Sequence, residues 1–210
     1  MRHLLVPGAG GQAWDWHRLV PLLDDAVAVE LPAGDDRAGL RAYADAVTAA
    51  AGPDPGPVVV VGHSMGGLTA PLVCDRLDVR RLVLLNAMIP APGESGAQWW
   101  EGSGHSSVDI GEFDEVEHFY HDLPPDLRAE ALARPEAQQS ETPFTEPWPL
   151  TAWPEVPTEV VAGAEDRLFP VSFQRRLARE RLGLGVTVVP GGHMAALSRP
   201  QELAAPLQRR

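Results

Sequence analysis

The 210-residue chain contains no lysine, so all 17 of its basic residues are arginine, and a mechanism built on a lysine Schiff base or lysine proton carrier is excluded. Cysteine is nearly as scarce. The single copy, Cys74, has no partner for an intramolecular disulfide, and its place in an apolar helical stretch predicts a small buried hydrophobe. Positive charge is outweighed as well: 29 acidic residues leave a net charge of −12, and the arginines form no cluster, which disfavours a nucleic-acid partner. No apolar run is long enough to span a bilayer, and the N-terminus enters a strand-like run without the basic-then-apolar form of a signal peptide. The expectation is a soluble, cytoplasmic protein with no membrane partner. Its 44% apolar and 22% charged residues are ordinary for a globular chain, and 210 residues suit one domain spanning 1–210.

What is present reads as alternating strands and helices. Short apolar runs at Arg2–Val6, Ala26–Leu31, Pro57–Val61, Arg81–Leu85, Glu159–Ala162 and Gly185–Val189 predict strands. The unbroken valines of Val58–Val61 are of the kind buried on both faces of a central parallel strand. Helices are expected over Trp14–Leu23, Asp36–Ala51, Ser64–Leu77, Val171–Arg181 and Pro200–Leu207. This order predicts an α/β protein, a mostly parallel sheet with helices on both faces. Between about residues 89 and 154 the rhythm gives way to prolines, glycines, charges and tryptophans, which reads as a small cap inserted over the sheet.

The strongest local signal is Gly62-His63-Ser64-Met65-Gly66, a G-x-S-x-G match between the Val58–Val61 strand and a predicted helix. A serine on so sharp a turn needs small residues two positions to either side, which Gly62 and Gly66 provide. The turn presents the hydroxyl at the carboxyl edge of the sheet, where the helix start makes the Met65 N–H a candidate oxyanion donor. A chance match in a glycine-rich chain is the bland alternative, and the strand–turn–helix context argues against it.

A serine hydroxyl becomes nucleophilic only when an imidazole takes its proton. Of the seven histidines, His193 follows the last predicted strand in Gly191-Gly192-His193, the place such a base occupies in this architecture. His63 is too near Ser64 in sequence to reach its hydroxyl, His3 and His17 fall at the wrong end of the sheet, and His105, His118 and His121 fall in the insertion. His118 and His121, close to Asp114, Glu117 and Asp122, could suggest a metal site, but a solvated helix face looks the same. The carboxylate that orients the histidine is expected at Asp166, just past the Glu159–Ala162 strand, with adjacent Glu165 as the substitute. The end of the Arg81–Leu85 strand, another possible source of this acid, carries the uncharged Asn86. A second oxyanion donor is expected from the glycine loop Pro7–Gly11. That loop lacks the Lys-Ser/Thr of a phosphate cradle and the dinucleotide fingerprint, so nucleotide binding is not expected.

With these elements in order, the sequence resembles the α/β-hydrolase superfamily over nearly its whole length. Within it, Pro7-Gly8-Ala9-Gly10-Gly11-Gln12-Ala13-Trp14-Asp15-Trp16 and Gly192-His193-Met194 resemble the methylesterase and hydroxynitrile lyase group and its bacterial esterase relatives. The resemblance implies a carboxylesterase acting on a small ester through Ser64, His193 and Asp166, with the Ala9 N–H as second oxyanion donor and no metal or organic cofactor. Lyases of the group carry a lysine after the catalytic histidine and a threonine in the first loop; this chain has Met194 and Gly8. Pro7 also replaces the group's usual histidine. A ligand receptor that retains the triad without turnover is an alternative of a different class. Trp99, Trp100, Trp148, Trp153, Phe113, Phe119 and Phe144 either line an apolar pocket or pack the cap onto the sheet.

Overall fold

A computed structural model describes residues 1–135 and 137–209. Six strands, β1 (Arg2–Val6), β2 (Ala26–Ala28), β3 (Val58–His63), β4 (Val79–Leu85), β5 (Thr158–Gly163) and β6 (Val186–Val189), form one sheet in the order β2-β1-β3-β4-β5-β6. Every pairing is parallel. Because side chains alternate along a strand, the near-continuous apolar runs feed two cores at once. Leu4, Val6, Val60, Leu82, Leu84 and Val160 face α1 (Leu40–Ala51) and α6 (Val171–Leu182). Their neighbours Leu5, Val59, Val61, Val83, Leu85 and Val161 face Trp16, Leu19 and α8 (Pro200–Leu207). Each such buried Val or Leu contributes about 1.5–3 kcal/mol relative to leaving it in water.

Two expected helices are broken, for identifiable reasons. Trp14–Leu23 consists of two 3₁₀ turns, Ala13–Trp16 and Val20–Leu22, the second with Pro21 in its first positions. After Ser64 the chain makes only the short α2 (Gly66–Thr69) and then a 3₁₀ turn, Ala70–Val73. Pro71 lies in that turn and has no N–H to return to Gly67, so the α-helical ladder stops. The second strand is also shorter than expected, ending at Ala28 ahead of Pro32.

The segment expected to form the cap holds α3 (Gly96–Gly102), a π-helical turn (Val116–Tyr120), α4 (Pro125–Ala133) and α5 (Thr142–Thr145). Its two ends are anchored by buried indoles. Trp99 donates to the Ile89 carbonyl at 3.0 Å and Trp148 to the Leu68 carbonyl at 2.9 Å, and both rings lie in the core that contains α1 and α6. These tryptophans therefore pack the cap rather than line a pocket, and Phe144 packs against Gly96. Cys74 is half-buried, and burial pushes its thiol up to about 12. No helix among the described residues is long and apolar enough to cross a membrane.

Candidate active site

The turn after β3 puts Ser64 at φ +51°, a left-handed conformation unusual for a side chain with a Cβ. The flanking glycines are required by crowding. A Cβ on Gly62 would lie 2.8 Å from both the Gly66 carbonyl oxygen and the Ala70 Cβ, and one on Gly66 would lie 2.6 Å from the Pro7 carbonyl oxygen. The strained turn is held by its backbone: Ser64 N–H donates to the Leu85 carbonyl at 3.2 Å, and the Ser64 carbonyl accepts from Met88 N–H at 2.9 Å. The loop after β1 runs directly against it, since a Cβ on Gly8 would approach the Ser64 Cβ to 2.8 Å. Ala9 and Met65 thus flank Ser64, and their N–H groups donate to no acceptor among the described residues. The neighbouring Gly10 N–H is instead taken by Gln139 Oε1 at 2.9 Å.

His193 and Asp166 come together from loops at the ends of β6 and β5. His193 Nδ1 is 3.0 Å from Asp166 Oδ2, while Asp166 Oδ1 accepts from Leu168 N–H at 2.9 Å and Phe169 N–H at 2.8 Å. With a carboxylate at Nδ1, that nitrogen carries the proton and Nε2 is left with its lone pair. Nε2 is buried and has no hydrogen-bond partner. The ring is packed by Phe119, Phe169 and His63, at centroid distances of 5.2, 5.3 and 4.9 Å. Glu165, adjacent to Asp166, does not meet His193; it accepts from the Gly191 N–H.

Several side chains that hold the histidine loop were not apparent from sequence. Asn86, itself at φ +43°, donates to the carbonyls of Gly192 at 3.1 Å and His193 at 2.9 Å, and accepts from Gly163 N–H at 2.7 Å. His63 Nε2 is 2.9 Å from the His193 carbonyl, and burial followed by the nearby His193 depresses its pKa to about 3, so it remains a neutral donor there. From the cap, Asp122 Oδ2 accepts from Gly192 N–H at 2.7 Å. The only sequence signals for these roles are the polar residue at the end of β4 and a carboxylate shortly after the π-helical turn.

Of the two histidines considered as metal ligands, His118 is engaged by backbone, whereas both ring nitrogens of His121 are buried without a hydrogen-bond partner among the described residues. His118 meets the backbone carbonyls of Asp114 and Ile110, His105 meets the Leu168 carbonyl, and no group of three metal-ligating side chains converges among the described residues.

Ser64 and His193 line one cavity of about 520 Å³, within the range of small-molecule sites. Its lining includes the apolar Phe113, Phe119, Leu132 and Met194 and the polar Gln12, Asp15, Glu115, Tyr120 and Arg134. Burial holds the Asp15 carboxyl up at about 7 against the opposing effect of Arg134, and burial beside Glu115 pushes the Tyr120 hydroxyl up to about 12.

Comparison with known proteins bears on the family and the fold. A model of the family described as "Alpha/beta hydrolase family" matches residues 4–205. The protein named "Probable esterase PIR7A" from Oryza sativa subsp. indica is 39% identical over 109 residues; the match spans 43% of this chain and only 40% of the rice protein. Among solved structures, a pyrethroid hydrolase from Sphingobium faniae JZ-2 superposes with a TM-score of 0.79 at 23% identity, covering 99% of this chain and 95% of its own. A methylesterase from Arabidopsis gives 0.77 at 23% identity, with 99% and 97% covered. At these identities the likeness is one of fold.

Proposed function

Because the chain belongs to the alpha/beta hydrolase family, we propose that it is a carboxylic ester hydrolase in which Ser64 is the nucleophile, His193 the general base and Asp166 the acid that orients it. The observation that carries this reading is the His193 ring. Its Nδ1 is fixed by Asp166 at 3.0 Å, and its unpartnered Nε2 belongs to a ring that shares the cavity with a serine at φ +51°. The partial match to the rice protein, whose name is that of an esterase, supports the choice of ester over other acyl substrates.

In the proposed reaction His193 Nε2 takes the Ser64 proton as Oγ attacks the ester carbonyl, and the oxyanion is held by the Ala9 and Met65 N–H groups. Protonated His193 then delivers its proton to the departing alcohol, leaving an acyl-enzyme. The same imidazole deprotonates the water that releases the acid, with Asp166 ionised throughout. Such bonds between nucleophile and base commonly tighten only when substrate is bound. These steps call on protein groups alone, and the cavity volume suits a small ester.

The test is hydrolysis of short-chain p-nitrophenyl esters by the wild type, Ser64→Ala and His193→Ala. Turnover is expected in the wild type, with kcat lower by at least about 10⁴-fold in both variants. A Ser64→Ala variant that retains turnover contradicts the assignment.

The cap contributes to the same geometry through Asp122. Asp122→Ala is expected to lower kcat about tenfold with little change in KM, because the Gly192 N–H loses its acceptor and His193 shifts in its loop. Asp122→Asn keeps an acceptor oxygen and is expected to recover most of that loss. Steady-state kinetics of the two variants check this, and an unchanged kcat in Asp122→Ala would remove the loop clamp from the account.

A further inference from the structure

Simple ester cleavage leaves part of the cavity lining without a role. Asp15 belongs to that lining, half-buried, and its carboxyl makes no hydrogen bond among the described residues. Such a group is expensive to keep. The unfolded chain releases this proton near 3.8 and the folded chain near 7, so the penalty to stability grows as pH rises through that interval and is complete above it. A carboxyl retained at such cost beside a reacting centre is the kind that meets a ligand.

The surroundings indicate which kind of ligand. Glu115 lines the same cavity, and Glu30 lies close enough to Asp15 to act on its charge. Against these acids stands one cation, Arg134, whose guanidinium already lies over the Trp14 ring at 4.6 Å and donates to Gln12 Oε1 at 3.3 and 3.4 Å. An anionic substituent entering here would face more negative charge than positive. Three aromatic rings, Phe113, Phe119 and Tyr120, line the cavity as well. A carboxylate beside aromatic rings is the combination that recognises an organic ammonium, through ion pairing and the negative faces of the rings.

We propose that Asp15 is a substrate-binding residue and that the preferred substrates are esters bearing a protonated amine, whose ammonium pairs with Asp15 among the cavity aromatics. The inference rests on the ester-hydrolase reading of the site. Asp15 must be ionised to pair, and the groups that act on it from the packed elements are Arg134 at the end of α4, Glu30 after β2 and His193 after β6, while Tyr120 at the π-helical turn faces the charges of both Asp15 and Glu115. The preference for a cation is therefore expected above about pH 7 and fades below it.

The experiment compares three p-nitrophenyl esters whose acyl chains end in dimethylammonium, isopropyl or carboxylate. At pH 8 the ammonium ester is expected to have kcat/KM about tenfold above its isopropyl counterpart, with the carboxylate ester slowest. The ratio should fall towards one at pH 5.5 and in Asp15→Asn at pH 8. Comparing two esters on one enzyme cancels any effect of pH on the chemical step that both share. The net charge of −12 attracts any cation, so Asp15→Asn, which removes one of 29 acidic residues, isolates the site. A ratio near one in the wild type, a preference that survives Asp15→Asn, or preference for the carboxylate ester would overturn the proposal. Turnover of the isopropyl ester upholds the hydrolase reading whatever the ratio. Should no ester turn over, that reading fails instead, and calorimetric binding of N,N-dimethylhexylammonium decides the Asp15 site. Binding weakened about tenfold in Asp15→Asn supports it, and equal or absent binding overturns it.

Discussion

Asp166→Asn is expected to lower kcat for ester hydrolysis by about 10⁴-fold while leaving the fold intact. The size of the effect follows from how the carboxylate is held. Oδ1 already accepts from the N–H groups of Leu168 and Phe169, at 2.9 and 2.8 Å, so an asparagine at this position must keep its carbonyl oxygen there. Its amide NH₂ then occupies the place of Oδ2 and faces His193 Nδ1. Two donors cannot share that contact, so the imidazole moves its proton to Nε2, the nitrogen that should receive the serine proton. The base is thereby disabled with almost no change in shape. Kinetics with a thermal melt as a fold control check this, and a loss of less than about tenfold would mean that Asp166 does not set the tautomer.

Gly163→Ala is expected to destabilise the protein by about 3 kcal/mol, through backbone collision rather than lost burial. Gly163 ends β5, where a Cβ would sit 2.4 Å from the Gly191 carbonyl oxygen and 2.5 Å from that of Gly192. Neither atom belongs to a flexible side chain that could swing aside. For a chain of this length the melting temperature should fall by about 6–12 °C. The displaced segment also carries His193, so kcat at a temperature where the variant remains folded should drop by about 10²-fold. A melt within a degree or two of wild type would show that the loop has room the structure does not give it.

These variants mark what the sequence disclosed and what it could not. Val58–Val61 announced a central parallel strand because a strand buried on both faces must be apolar at every position. The glycines around Ser64 announced the turn because no larger residue fits beside the Pro7 and Gly66 carbonyls. The contact between His193 and Asp166 could be anticipated from their places after strands at the carboxyl edge. The local pattern misled where proline broke a helical run, as at Pro71, because apolar spacing says nothing about the missing N–H. Asn86, Asp122 and Asp15 were harder still. Each is placed by groups far away in the chain: Asn86 by Gly163 and His193, Asp122 by Gly192, and Asp15 in the cavity near Arg134. A polar side chain at the end of β4 reads as a missing acid until the loop it holds is in view.

The most direct test of the account is mass spectrometry of the wild-type protein after reaction with a fluorophosphonate, followed by peptide mapping of the adduct. The account predicts one covalent adduct, on Ser64, formed by wild type and absent from Ser64→Ala. No adduct on folded protein, or an adduct on another residue, would contradict the assignment of Ser64 as an activated nucleophile.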